Sequence, residues 1–136
     1  MTITEKSWAV KTPQQVHTIM SAILKKEEEI DQDKEHFWVL GLNTRGTTKY
    51  IELVSLGILD QSLIHPREVF GFAITKRVAS IILCHNHPSG DLEPSEDDLG
   101  ITKRLVEAGK ILGIEVLDHV IISTDHYLSL KEKGIL

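Results

Sequence analysis

The stretch Ala79-Ser80-Ile81-Ile82-Leu83-Cys84-His85-Asn86-His87-Pro88-Ser89-Gly90 decides how the rest of the chain reads. Its first half, Ala79 to Cys84, is apolar enough for a central strand buried on both faces. The second half runs straight into turn formers, Pro88, Ser89 and Gly90. A loop from Asp91 to Pro94 precedes a helix of about Ser95 to Leu112, which Gly113 stops. Val116 to Ser123 is another strand, and Tyr127 to Leu130 reads as a short last one.

The same reading extends towards the N-terminus. Thr12-Pro13-Gln14-Gln15 opens a helix, with Thr12 at the N-cap, Pro13 at the first helical position and Gln15 completing a capping box. Val16, Ile19, Met20, Ile23 and Leu24 give that helix one apolar face. Lys25 to Lys34 is a charged extension, read as a solvated helix end leading into a turn. From Glu35 the period changes, and His36 to Leu42 reads as a buried strand. Asn43-Thr44-Arg45-Gly46 is a turn, and Lys49 to Gly57 its antiparallel partner. Ile64-His65-Pro66 introduces a helix over Arg67 to Lys76, with Val69, Phe70, Ala73 and Ile74 inward. Residues 1–11 form a lead-in from which Trp8 and Val10 dock. The order of elements predicts one α/β domain, a mixed sheet covered by helices.

Composition narrows the function. With 136 residues, 41% of them hydrophobic and 26% charged, the chain fits one ordinary globular domain. Its single cysteine excludes an internal disulfide and points to a reducing compartment. A net charge of −5 argues against nucleic-acid binding through bulk charge. The start has no apolar stretch suited to a signal peptide, and no run approaches a membrane helix. A cytoplasmic protein is the expectation. Seven histidines stand out in so short a chain.

His85 and His87 lie two residues apart at the end of an extended segment, so both imidazoles project to the same side. Neutral imidazole is the commonest metal ligand. The bends at Pro88, Gly90 and Pro94 allow the next helix start to fold back, bringing Asp98 within reach as a carboxylate ligand. Two histidines and one carboxylate leave a fourth tetrahedral position for water, as in a catalytic zinc site. A bare His-x-His pair is weak evidence, and Ser95 with Asp98 three residues on is also an ordinary capped helix start. The two readings are compatible, because a capped start would hold Asp98 steady.

His85, His87, Ser95 and Asp98 match the spacing of the JAMM motif of JAB/MPN metallopeptidases. The wider run His85 to Asp98, with His65 to Phe70 before it and Asp118 to Ile122 after it, closely resembles the bacterial RadC family. The resemblance covers about residue 12 to the end. It implies an α/β/α sandwich of the cytidine-deaminase-like type, with zinc held by His85, His87, Asp98 and a water. It also implies a zinc-dependent hydrolase of peptide or isopeptide bonds, acting on a protein or peptide substrate. An upstream Glu serves as general base in this pattern; Glu35 is the best match, with Glu52 and Glu68 in reserve, though a solvated end to the charged stretch also suits Glu35. By the same resemblance Ser95 steadies the tetrahedral intermediate.

The pattern departs from the ubiquitin-directed JAMM peptidases at Asn86, where those usually carry Ser or Thr; Asn matches the RadC branch. Longer RadC proteins carry an N-terminal helix-hairpin-helix module associated with DNA binding, and none is expected within this sequence. The rival readings are a non-enzymatic accessory in DNA repair or recombination, with Lys76-Arg77 and Lys103-Arg104 as its basic cluster, and a scaffold with an inert metal site. MPN-like domains often pair through strand edges, so a homodimer is a further expectation.

The other histidines read as less chemical. His65 is a helix-entry residue, and His17, His36 and His126 are placed on the surface. His119 is a satisfied strand histidine or one that orients the site. Cys84 is a buried small hydrophobe pointing away from His85.

Overall fold

The computed structural model describes residues 3–4, 6–57 and 59–136, the first two by backbone alone. In chain order the elements are β1 (Ile3–Thr4), α1 (Pro13–Lys25), α2 (Glu29–Gln32), β2 (His36–Leu42), β3 (Thr48–Leu56), α3 (Pro66–Thr75), β4 (Ser80–Asn86), α4 (Glu96–Leu112), β5 (Glu115–Ile122) and β6 (Tyr127–Ser129). The expected strands and long helices are present, with ends shifted by a residue or two. Three details differ from the sequence reading. The charged stretch after α1 contains a separate four-residue helix, α2. The lead-in contributes β1, which pairs antiparallel with β3. β4 runs on through His85 and Asn86 instead of ending at Cys84.

The strands form one six-stranded sheet in the order β1-β3-β2-β4-β5-β6. Among the described residues, only β4 and β5 pair in parallel; their connection is α4, the crossover that parallel neighbours need. The sheet is therefore mixed and α/β, consistent with the JAB/MPN architecture.

Alternation along β4 sorts the core into two layers. Ile81 and Leu83 face one side, where Phe37 and Val39 join Val69, Phe70 and Ala73 of α3 and Ile101 and Leu105 of α4. Ile82 and Cys84 face the other, against Val16 and Met20 of α1 with Trp38, Leu40 and Val120. β4 is buried at every position, so its near-continuous apolar run follows from having helices on both faces. Trp8 and Val10 dock onto the α1 side as expected.

Local chemistry fixes the starts of α1 and α4. Thr12 caps α1 in a full capping box with Gln15. Ser95 caps α4 in the same manner: its hydroxyl oxygen accepts from Asp98 N–H at 3.0 Å, while Asp98 Oδ2 accepts from Ser95 N–H at 2.8 Å. Such a cap contributes about 1 kcal/mol to helix stability.

Candidate metal centre

The site forms where β4 ends and α4 begins. His85, on β4, has no solvent exposure, and His87 follows on the same side because the chain stays extended. His87 N–H donates to the Ile122 carbonyl at 2.9 Å, carrying strand-like pairing past the end of β4. The chain then turns at Gly90, whose φ of 88° favours glycine. The turn is closed by Gly90 N–H on the His87 carbonyl. It returns to the Ser95 cap, which delivers Asp98 to the two imidazoles.

The donor atoms meet closely. His85 Nε2 lies 2.8 Å from His87 Nε2 and 3.3 Å from Asp98 Oδ1. His87 Nε2 lies 3.2 Å from Asp98 Oδ2. His87 Nδ1 stands 2.6 Å from the Asp91 carbonyl, which can only accept, so Nδ1 carries the N–H. Nε2 of a neutral His87 is then a bare lone pair facing a second imidazole nitrogen and a carboxylate. Electron-rich atoms gathered this way need a proton or a cation between them. His85, His87 and Asp98 thus form a group that can hold a metal ion.

The electrostatics agree. Burial alone would push the Asp98 carboxyl up, but hydrogen bonding to His85 and His87 and the Ser95 N–H outweigh it and hold it well below the usual carboxylate range. The hydrogen bond to Asp98 raises His87 above the ordinary imidazole value, against a smaller lowering by burial; Asp91 and the charge of Glu35 add to the rise. Desolvation drives His119 well below that value.

A cleft of about 600 Å³ opens beside the group, and its lining includes Glu35, His87, Ser89 and Ser95. Glu35 is half-buried just before β2, with Oε2 accepting from Leu59 N–H at 3.0 Å. The reserve carboxylates sit elsewhere. Glu52 is buried in the middle of β3, where desolvation and then the charge of Glu68 raise its carboxyl. Glu68 is exposed on α3. Neither lines the cleft.

Asn86, between the two histidines, points to the opposite face and brackets Glu35. Its Oδ1 accepts from His36 N–H at 2.5 Å and its Nδ2 donates to the Lys34 carbonyl at 3.0 Å. The residue that distinguishes this motif therefore ties the segment bearing Glu35 to the strand bearing the metal donors. The sequence reading missed this role, and its only signal was an amide where Ser or Thr is usual.

The other histidines divide. His36 is not on the surface: it is fully buried in β2, stacked on Trp38 at 4.9 Å between centroids and paired with Glu27. A strand covered on both faces buries every position, and the Glu27 carboxylate and the Lys34 carbonyl make that burial tolerable. His17 is half-buried, with Nε2 3.0 Å from the Ser123 carbonyl, whereas His126 is exposed. His65 occupies the N-cap position of α3 without a side-chain cap bond. His119 is buried and contacts His85. Cys84 is buried on the α1 side, away from His85. In the basic cluster, Arg104 is engaged with the carbonyls of Gln61 and Ile64.

A mixed sheet between helices, with a His-His-Asp group where a central strand meets a capped helix, defines a domain of the JAB/MPN class. The chain belongs to the RadC-like JAB domain family, whose model matches residues 10–135. A UPF0758 protein of Syntrophomonas wolfei subsp. wolfei is 50% identical over 127 residues, covering 93% of this chain and 54% of that protein. A UPF0758 protein of Clostridium acetobutylicum is 53% identical over 116 residues, covering 85% of this chain and 51% of its own length. One from Caldanaerobacter subterraneus subsp. tengcongensis is 50% identical over 129 residues, covering 95% of this chain and 53% of that protein. The chain thus spans about half the length of the curated relatives it matches. Among the described residues, no helix is long and apolar enough to cross a membrane.

Proposed function

We propose that this domain is a zinc-dependent hydrolase of the JAMM type that cleaves a peptide or isopeptide bond in a protein or peptide substrate. The observation that carries the reading is the convergence of His85 Nε2, His87 Nε2 and the Asp98 carboxylate beside a cleft lined by Glu35 and Ser95. Two imidazoles and one carboxylate suit zinc, and three protein donors suit a catalytic site more than a closed structural one. When bound, zinc polarises a carbonyl oxygen and lowers the pKa of water to about 7.

The chain's own groups supply the rest. The Glu35 carboxylate takes a proton from the attacking water and returns it to the leaving amine. Leu59 N–H holds one carboxylate oxygen, and the Asn86 amide holds the backbone on either side of Glu35. The Ser95 cap uses the hydroxyl oxygen as acceptor, so the hydroxyl hydrogen is left to donate to oxyanion charge developing in the cleft. A cytoplasmic setting belongs to this reading, since the one thiol is buried and unbridged.

The test pairs zinc analysis of the purified protein with a screen of peptide and isopeptide substrates, using Glu35→Gln as control. Stoichiometric zinc is expected in both proteins, with turnover lower by about 10²–10⁴-fold in the variant. Absence of stoichiometric zinc in the wild type would sink the metal claim. Equal turnover of both proteins would sink the role of Glu35.

A further inference from the structure

Two side chains outside the donor set connect one candidate ligand to another. His119 on β5 and Thr102 on α4 are both buried. His119 Nε2 lies 2.7 Å from His85 Nδ1, and His119 Nδ1 lies 2.5 Å from Thr102 Oγ1. Thr102 Oγ1 in turn lies 2.8 Å from the backbone carbonyl of Asp98, one helical turn earlier.

The direction of every bond follows from the one group whose role is fixed. A carbonyl oxygen only accepts, so the Thr102 hydroxyl hydrogen goes to Asp98. Thr102 Oγ1 then receives from His119 Nδ1–H. A neutral imidazole carries one N–H, so His119 Nε2 is an acceptor, and the proton between the two rings belongs to His85 Nδ1. The same answer comes from the other end. A metal at His85 Nε2 requires that ring's single N–H to sit on Nδ1 and to find an acceptor there. Phe37 packs edge-on to His119, with centroids 5.8 Å apart, and faces His85 at 6.5 Å, so both rings share an apolar neighbour.

We propose that His119 and Thr102 are positioning residues of the metal centre, forming a one-way hydrogen-bond relay from His85 to the Asp98 backbone that holds His85 as its Nδ1–H tautomer. The proposal rests on the metal reading above. The relay ties the end of β4 to the start of α4 by a path that does not pass through the metal. Two ligands from different elements are therefore held in mutual register before any ion arrives.

The test uses the full chain as wild type, Thr102→Val and Thr102→Ser. Zinc affinity is measured by competition with a chromophoric chelator, and thermal unfolding checks the fold. Long-range ¹H–¹⁵N spectra of the imidazoles, recorded with zinc, report the tautomers. Thr102→Val is expected to weaken zinc binding by about 10–100-fold. Thr102→Ser, which keeps the hydroxyl, is expected to stay close to wild type. In the wild type, His85 and His119 should both read as Nδ1–H, and in Thr102→Val His119 should lose that preference. Equal zinc affinity in wild type and Thr102→Val overturns the relay while leaving the metal centre standing. A wild-type His119 protonated at Nε2 overturns its direction. A wild type that binds no zinc removes the metal reading itself, an outcome distinct from both.

Discussion

Two buried polar clusters lie on opposite faces of β5, centred on neighbouring residues. On one face, Asp118 accepts from Ser129 Oγ–H at 2.5 Å and from the backbone N–H groups of His119 and Lys131 at 2.7 and 3.1 Å. Every bond there has an evident donor and acceptor, so the cluster is closed. It locks β5 to β6 and the chain after it. On the other face, His119, His85, His87 and Asp98 are satisfied around their periphery but not at their centre. The outer nitrogens of all three imidazoles have fixed partners, while two Nε2 atoms and a carboxylate are left facing one another. The contrast separates two uses of buried polarity. A structural cluster is complete with the chain alone, and a functional one is complete only with an added charge.

That contrast can be broken most directly at Asp98. Asp98→Asn should abolish stoichiometric zinc binding, because it removes the only anionic donor of the group while an amide oxygen can still partner the Ser95 N–H. Elemental analysis of the purified variant decides this, and retention of a full equivalent of zinc would place the metal elsewhere. At Asp118 the expected loss is of stability alone. Asp118→Ala leaves the buried Ser129 hydroxyl and two backbone N–H groups short of an acceptor, which costs about 1–3 kcal/mol for each group left unsatisfied. Denaturant unfolding measures that loss, and a zinc affinity changed along with it would show that the two faces are not independent.

The smallest effect sharpens the comparison by pH. His87 is raised above the ordinary imidazole value in the metal-free protein, chiefly by its hydrogen bond to Asp98. Below that raised value Nε2 holds a proton, which must leave before a metal can bind. Zinc affinity should therefore fall as pH drops through it, by about tenfold per pH unit for one displaced proton, and level off above it. Chelator competition between about pH 6 and 8.5 tests this, using the ordinary imidazole pKa of ~6.5 as reference. A flat profile would mean that proton and metal do not share the site.

Much of this was legible in the sequence. The apolar run into His85, the i, i+2 histidines and the capped helix at Ser95 carry their own local signals, and these brought His85, His87 and Asp98 together on paper. What stayed hidden depends on pairing between distant segments. β1 is two residues long and has no periodicity of its own; only the edge of β3 makes it a strand. His36 reads as a surface residue because its burial depends on Glu27, in the charged stretch before it, and on helices covering both sheet faces. Thr102 stands four residues after Asp98, a spacing visible in the chain. Its partner His119 comes alongside only through the parallel pairing of β4 with β5. The bracket at Asn86 likewise needs β2 beside β4.

The loop between His87 and Ser95 has a further consequence. Its two ends are pinned, one by the imidazole on the Asp91 carbonyl and the other by the Ser95 cap, while Ser89 and Glu93 between them are exposed and line the cleft. Holding the donors and lining the cleft thus fall to different positions of one short segment. The anchors fix where the donors stand, and the exposed side chains between them shape the rim of the cleft. The segment works like a bracket, rigid at its fastenings and turned outward between them.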